Sequence, residues 1–524
     1  MNAKASAQRP RFVLPSVLGA LCALAVAPSH AAGGSLGPGD IAWLQRVGFG
    51  LDSTELANYR KLGRAAFLDQ QLAPGGAALP PKIAKLIGSY EAVTTPLPVL
   101  ELQLRDSRRE IRAMPEGDPK IAAKKALRAH GRQLAMQAQQ TTLLRAIYGT
   151  DQLNEQMVWF WLNHFSVYAA KGGVSVTAAD YAENVVRPHA LGRFRDLLLA
   201  TLQSPAMLQF LDNAKNVKDK TNENYARELM ELHTLGVDAG YSQQDVQQLA
   251  LILTGAGLAY GDGTGKGISR GNNRRQPPGM IRQGLFVFNP DRHDFTDKVF
   301  LGHTIKGSGV DEITAAVDLI VQQPACASFI SGQIAQYFVA NKPPAALVDA
   351  MAKTFQRTDG DIAAVLRTMF LAKEFTASLG ATNPVRKFKD PTQFLVSAMR
   401  LAYDGRPIAN AQPLVNWLNQ MGEAPFGRIT PDGWPMDDQS WSSSGQMAKR
   451  FDVAGAIGSG KNRLFLPGDE TPDTSIEPPN LNNAVYRMAI EPTLSLAARS
   501  ALGKAASPAE WNTFLLSSPD FNYR

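Results

Sequence analysis

Apolar residues recur at intervals of three and four along almost the whole of this chain, the spacing that gives a helix one buried face. Only two short stretches, "GLFVFNP" and "KVFLGHTIKG", alternate as strands do, and they flank the loop "DRHDFTD". The pattern predicts a mainly α, multi-helical fold with a small inserted β-hairpin around residues 284–306. Helix boundaries are marked as well. "DSTELANYRKLG" opens on a cap-like Asp52 with Glu55 three residues on and closes at Gly63. Pro324 and Pro343 stand where two later helices start, and another helix covers 391–403. Residues 97–146, interrupted by "MPEGDP", read as a helical hairpin whose Arg105, Arg108, Arg109, Arg112, Lys124, Lys125, Arg128 and Arg132 form a solvated outer face.

The first residues point to export. Lys4, Arg9 and Arg11 precede an apolar stretch from Phe12 to Val26, and Ser29 and Ala31 fit cleavage after Ala31, so residues 1–31 read as a secretory signal peptide and the mature chain as periplasmic or extracellular. No later apolar run reaches the length that spans a bilayer, so no transmembrane segment is expected after signal removal. Cys22 leaves with the signal and Cys326 stands alone, which leaves the apolar core to hold the fold; 44% hydrophobic residues are enough for that. Losing Lys4, Arg9 and Arg11 takes the formal charge from +7 to +4, too mild to argue for nucleic acid. One large domain, 32–524, is expected, with sub-domains 38–260 and 281–524 joined by a flexible, glycine-rich loop at 261–280 as a further division. That loop misses the phosphate-binding glycine patterns, and the two GxSxG matches, "GGSLG" and "GISRG", lack the preceding strand a nucleophile elbow needs.

Helical geometry, at about 100° per residue, separates the polar residues of "NENYARELMELHTLG". Glu223, Arg227 and Glu231 fall opposite the Tyr225–Leu229–Leu232 stripe, spaced as a charge ladder. His233 lands between Leu229 and Ala226, and Glu228 between Leu232 and Leu235, so both turn inward. Glu228 is therefore expected to be buried and paired with an arginine, a histidine, a metal or backbone donors, with Glu231 more exposed. In "LNEQMVWFWLNHFSVY", His164 falls on an aromatic face with Phe160 and Trp161. A histidine there is either a core residue bonded to a carbonyl or a ligand or base facing a cleft. "VVRPHALG" adds His189, "MLQFLDNAKNVKDKTNENY" adds Asp212, Asn216 and Asn224, and "FNPDRHDFTDK" adds His293, Asp294 and Lys298.

Apart from His30 and His130, every histidine lies between 164 and 303, which points to a shared site. His164, Glu228, His233, His293, Asp294 and Arg227 are the candidate catalytic groups, and His164, Glu228, His233 and His293 are the set that a divalent metal such as Zn²⁺, Mn²⁺ or Fe²⁺ would use. Metal-free acid/base chemistry and structural hydrogen bonding remain as alternatives, since no HExxH occurs. His189, Asp212, Asn216, Asn224, Lys298 and Trp434 are candidate binding residues. In "ITPDGWPMDDQSW", Trp434 and Trp441 could stack on sugars while Asp432, Asp437 and Asp438 bond hydroxyls, or the segment is a packed loop.

In their order, "WLQRVGFGLDSTEL", "VWFWLNHFSV", "VRPHALGRFRDLLLATLQSPAMLQFLD", "NENYARELMELHTLGV", "YSQQDVQQLALILTG", "HDFTDKVFLG" and "PDGWP…W" resemble the bacterial "domain of unknown function 1800" family, from about residue 40 to the C-terminus. The chain departs from the family pattern at "FT" after His293–Asp294 and at Ala256. The resemblance implies an exported, largely helical protein whose activity is not established. It also implies an exported partner resembling the alkaline phosphatase and sulfatase superfamily, or a shared glycan or envelope-polymer substrate. Two functions are carried forward: a metal-assisted or acid/base hydrolase or transferase acting on an envelope polymer or its fragments, and a non-catalytic binding or assembly partner.

Overall fold

Prolines and short polar side chains set where the helices begin. Asp52 accepts the Glu55 amide at 2.8 Å to start the Ser53–Leu72 helix, and Ser242 and Asp245 form a reciprocal capping box on Gln243–Ile252. Proline opens Pro81–Ile87, Pro205–Phe210, Pro324–Phe338, Pro391–Tyr403 and Pro508–Ser517, where its missing amide hydrogen is not needed. The computed structural model describes residues 36–73, 75–76, 78–259, 277–379, 387–466 and 477–524. The expected signal peptide, both GxSxG matches in whole or part, and residues 261–276 of the glycine-rich loop lie outside the described residues.

The fold is mainly α. Residues Ser35–Arg524 form one compact unit around a continuous apolar core, to which most helices contribute a face. Leu97–Ala113 and the 31-residue Asp118–Tyr148 make the expected hairpin; Arg105, Arg109, Arg112, Lys124, Lys125, Arg128 and Arg132 are exposed on it and Arg108 is half-buried, while Lys120 is buried. The second helix sinks into the core only over its last part, from Leu134 to Tyr148. Gly63 does not end its helix. At φ 75° it kinks the rod, and a second leg runs on to Leu72.

The strands differ from the expected single hairpin. β1 (Ala256–Leu258), β2 (Ile281–Gln283) and β3 (Phe286–Phe288) form an antiparallel sheet in the order β1-β3-β2, while β4 (Lys298–Phe300) and β5 (His303–Ile305) pair only with each other. The two alternating stretches therefore never pair. "KVFLGHTI" folds back on itself because Leu301 and Gly302 both take positive φ, 48° and 78°, the turn that matches strand twist. Among the described residues no single helix is long and apolar enough to cross a membrane.

Candidate functional site

The Gln152–His164 helix is almost wholly buried, and the Trp161 indole donates to the Ala190 carbonyl at 2.9 Å, which anchors its last turn. The second helix of the site, Glu223–Glu228, widens into a π-helical turn over Leu229–Thr234. There the Leu235 amide reaches the Met230 carbonyl at 2.9 Å and the Thr234 hydroxyl reaches the Leu229 carbonyl at 2.7 Å, both five residues back. Together these two helix ends bring His164 and His233 to a ring separation of 5.9 Å, with His164 Nε2 donating to the His233 carbonyl at 2.9 Å. Phe160, Trp161, Phe165 and Phe329 surround His164 at 4.8–6.2 Å. Burial drives the His164 imidazole down to about 4. His233 is driven down to about 3 by burial and by His164, against a smaller opposing pull from the Pro431 carbonyl. Neither ring nitrogen of His233 has a partner in full hydrogen-bond geometry.

A third segment covers the pair. Asn163 donates to the Trp434 carbonyl at 2.9 Å and accepts the Trp434 amide at 2.6 Å, so the "PDGWP" turn is clamped to the end of the Gln152–His164 helix. Gly433 makes this approach feasible: its φ is 73°, and a Cβ there would lie 2.3 Å from the Asn163 carbonyl oxygen. Gly433→Ala is expected to cost about 1–3 kcal/mol and to release Trp434. Denaturant melts and indole fluorescence would read both effects, and an unchanged melt would mean the turn is not held this way. On the same turn Asp432 is held below the usual carboxylate range: burial works against it, but hydrogen bonds from Arg428, at 2.8 Å, and Thr430 prevail.

Glu228 departs from expectation. It is half-buried, like Glu231, and no hydrogen bond or ion pair holds it among the described residues. Burial, then the charges of Glu231 and Asp432, raise its carboxyl, while Arg227 opposes them. The wheel assumed a uniform angle per residue, and the π turn beginning one residue later breaks that assumption, which also leaves Leu232 only half-buried. Arg227 instead bridges Glu223 at 3.1 Å and Glu231 at 3.5 Å, the expected ladder.

The blocks "FWLNHF", "NENYAREL" and "PDGWP" thus meet at one place although the last lies some 270 residues from the first, the Asn163–Trp434 separation being 271. Residues 42–523 match the family described as "Protein of unknown function (DUF1800)". The chain belongs to the DUF1800 family. No curated protein and no solved structure matches it.

The remaining candidates of this DUF1800 chain form separate groups. His293, fully buried, places Nδ1 at 2.8 Å from the Thr254 carbonyl and Nε2 at 2.8 Å from Glu312. Lys298, also fully buried, lies 2.7 Å from the other Glu312 oxygen and donates to the Asp294 carbonyl. Glu312 went unnoticed in the sequence, although its place three residues after Gly309 at a helix start signals a capping role; its carboxylate accepts the Ser308 and Gly309 amides at 2.8 Å. Asp294 accepts from Thr296 and stays half-buried.

Several candidates for ligand binding serve the backbone instead. His189 Nδ1 donates to the Val185 carbonyl at 2.7 Å. Asp212, at φ 60°, pairs with Lys171 and Lys215. Asn216 is fully buried, donates to the Ala250 carbonyl and accepts the Asn222 amide, while Asn224 donates to the Leu211 carbonyl. Trp441 is buried with its indole on the Pro435 carbonyl, and Asp437 caps the next helix, so of the sugar-stacking pair only Trp434 keeps accessible surface.

The metal set is not assembled. Among the described residues no three histidine, cysteine, aspartate or glutamate side chains converge as a metal would require. His164 and His233 face each other, whereas His293 is held by Thr254 and Glu312.

Proposed function

We propose that this DUF1800 protein is an exported envelope protein whose site at His164, His233, Glu228 and Asp432 carries out metal-free acid/base chemistry, a hydrolysis or group transfer on an envelope polymer or its fragments. The observation that carries this reading is the opposition of two carboxyls. Glu228 is raised and unpartnered, while Asp432, close enough to add to that rise, is held low by Arg428 and Thr430. Neighbouring carboxyls pushed in opposite directions supply an acid and a base at one pH. Glu228 would hold the proton to be donated and Asp432 would accept one.

The test is incubation of the mature protein with fractionated envelope glycans and peptidoglycan fragments, followed by mass spectrometry of the products. Glu228→Gln is expected to lower turnover by about 10²–10⁴ while leaving the melt nearly unchanged, because no partner is lost. Equal turnover in the variant would sink the reading. A second reading, a non-catalytic partner of an exported alkaline-phosphatase- or sulfatase-like protein, draws support from the exposed cationic face of the 97–148 hairpin. Pull-down from native periplasm with and without charge reversal on that face separates the two.

A further inference from the structure

The helical hairpin of Leu97–Ala113 and Asp118–Tyr148 holds more positive charge than the rest of the chain can balance. Residues 105–132 contain nine lysines and arginines against four acids, a net +5; residues 32–524 sum to +4, so the remainder of that span nets −1. Much of this charge stands off the body. From Asp118 to Gln133, about 24 Å of helix, only Lys120 is buried. Lys120 closes the tip, donating to the Met114 carbonyl at 3.0 Å and to Glu116 at 2.7 Å. The base is fixed where His130 meets Glu91 at 2.9 Å and where Gln137 accepts the Ala92 amide at 2.9 Å. The arm is thus built before any partner arrives, which keeps the ordering cost of binding small.

Along the outer side of the arm the charges form a line. Ile121, Lys125, Arg128 and Arg132 are spaced four, three and four residues apart and all are exposed. At roughly 100° per residue they fall within about 60° of one another, a straight stripe about 16 Å long. Lys125, Arg128 and Arg132 form no ion pair among the described residues; Asp106 and Glu116, by contrast, are taken by Arg109 at 3.2 Å and Lys120 at 2.7 Å. Ile121, at the tip end of the stripe, is 63% exposed, and Met114 across the turn is 37% exposed. Exposed Ala122, Ala126 and Ala129 flank the line, so the face offers charge and an apolar tip but little relief or hydrogen-bond pattern. A folded protein partner needs such a pattern for specificity. A fluid sheet of negative headgroups does not, because its lipids rearrange to meet each cation, and an exposed isoleucine can enter the acyl boundary beneath them. We propose that this arm docks the protein on an anionic phospholipid surface, with Lys125, Arg128 and Arg132 on the headgroups and Ile121 inserted between them. The proposal does not rest on the chemistry at Glu228, and it assigns the cationic face to lipid rather than to a protein partner.

Co-sedimentation of residues 32–524 with vesicles tests it. Binding is expected to phosphatidylcholine vesicles containing about 30% phosphatidylglycerol, and not to phosphatidylcholine alone. It should be released by about 0.5 M salt. Lys125→Gln, Arg128→Gln and Arg132→Gln together should weaken it about a hundredfold. The equally exposed pair Arg60→Gln and Lys61→Gln, on another helix, should leave it unchanged. Melts of both variants should match the parent's, since no ion pair is lost. A polarity-sensitive dye on Ile121→Cys, selective because Cys326 is buried, should shift to the blue on anionic vesicles only. Absence of binding, equal binding to neutral vesicles, a triple variant that binds like the parent, or an unshifted dye overturns the proposal. Capture of an exported acidic protein through this stripe, without vesicle binding, would give the face to that partner instead. Turnover of envelope fragments is a separate readout, and its loss in Glu228→Gln leaves this result untouched.

Discussion

Glu312→Ala is expected to be the most destabilising single change in the central region, at about 3–5 kcal/mol. The carboxylate is fully buried and joins four groups: His293, Lys298 and the amides of Ser308 and Gly309. Despite burial, hydrogen bonds from His293, Lys298 and Gly309 hold it below its ordinary range. Alanine would leave Lys298 buried with only the Asp294 carbonyl and a distant carboxylate at 3.5 Å, and would uncap the Val310–Gln322 helix. A loss of this size is a large part of the roughly 5–15 kcal/mol that holds a domain together. Urea unfolding measures it. Glu312→Gln combined with Lys298→Met should recover much of the loss, because no orphan charge is then buried. A cost below about 1 kcal/mol for Glu312→Ala would show that water reaches the cluster.

The second large effect concerns pH. His164 and His233 are pushed down to about 4 and about 3, from an ordinary value of 6.5. Between those values and 6.5 the unfolded chain binds protons that the folded chain refuses. Stability from the pair is therefore complete above about pH 6.5 and is lost as pH falls through 4 and then 3, on the order of 3 kcal/mol for His164 and about 5 kcal/mol for His233. Midpoints of urea unfolding from pH 7 to 3.5 would trace that fall. His233→Met should remove only the His233 share of it and leave the fall that belongs to His164. At pH 7 the same variant should be within about 1.5 kcal/mol of the parent, since neither ring nitrogen loses a bond and the backbone carbonyl that holds His164 remains. Identical pH profiles for parent and variant would mean that the ring is not buried in solution. A stable variant without turnover would favour the catalytic role over a structural one.

The helices, their caps and the inward turn of His164 and His233 were legible in the sequence because each depends on neighbours within one turn. Apolar spacing orients a side chain relative to its own helix, and a serine or aspartate caps the amides two or three residues away. The family is legible for a similar reason, since it rests on contiguous blocks. The same local reasoning went astray where a helix left its regular period, at the π turn after Glu228 and at the Gly63 kink. It also failed at Glu55, read as the far half of a capping box. Asp52 does accept its amide, but the Glu55 side chain turns away to Arg400, 345 residues on.

The sequence by itself determined a mainly helical chain, the blocks that place it in its family, and which histidines face inward. Only the tertiary structure decided the company those residues keep. It divided the central histidines between an aromatic pair, His164 with His233, and an ion cluster, His293 with Glu312 and Lys298. It laid the Trp434 turn over Asn163 and, among the described residues, left Glu228 without a hydrogen bond or ion pair and Glu55 Oε1 without a hydrogen bond. The physical reason is that a buried polar group takes whichever donor or acceptor packing brings within about 3 Å. That choice is made by helices distant in the chain and leaves no period in the sequence.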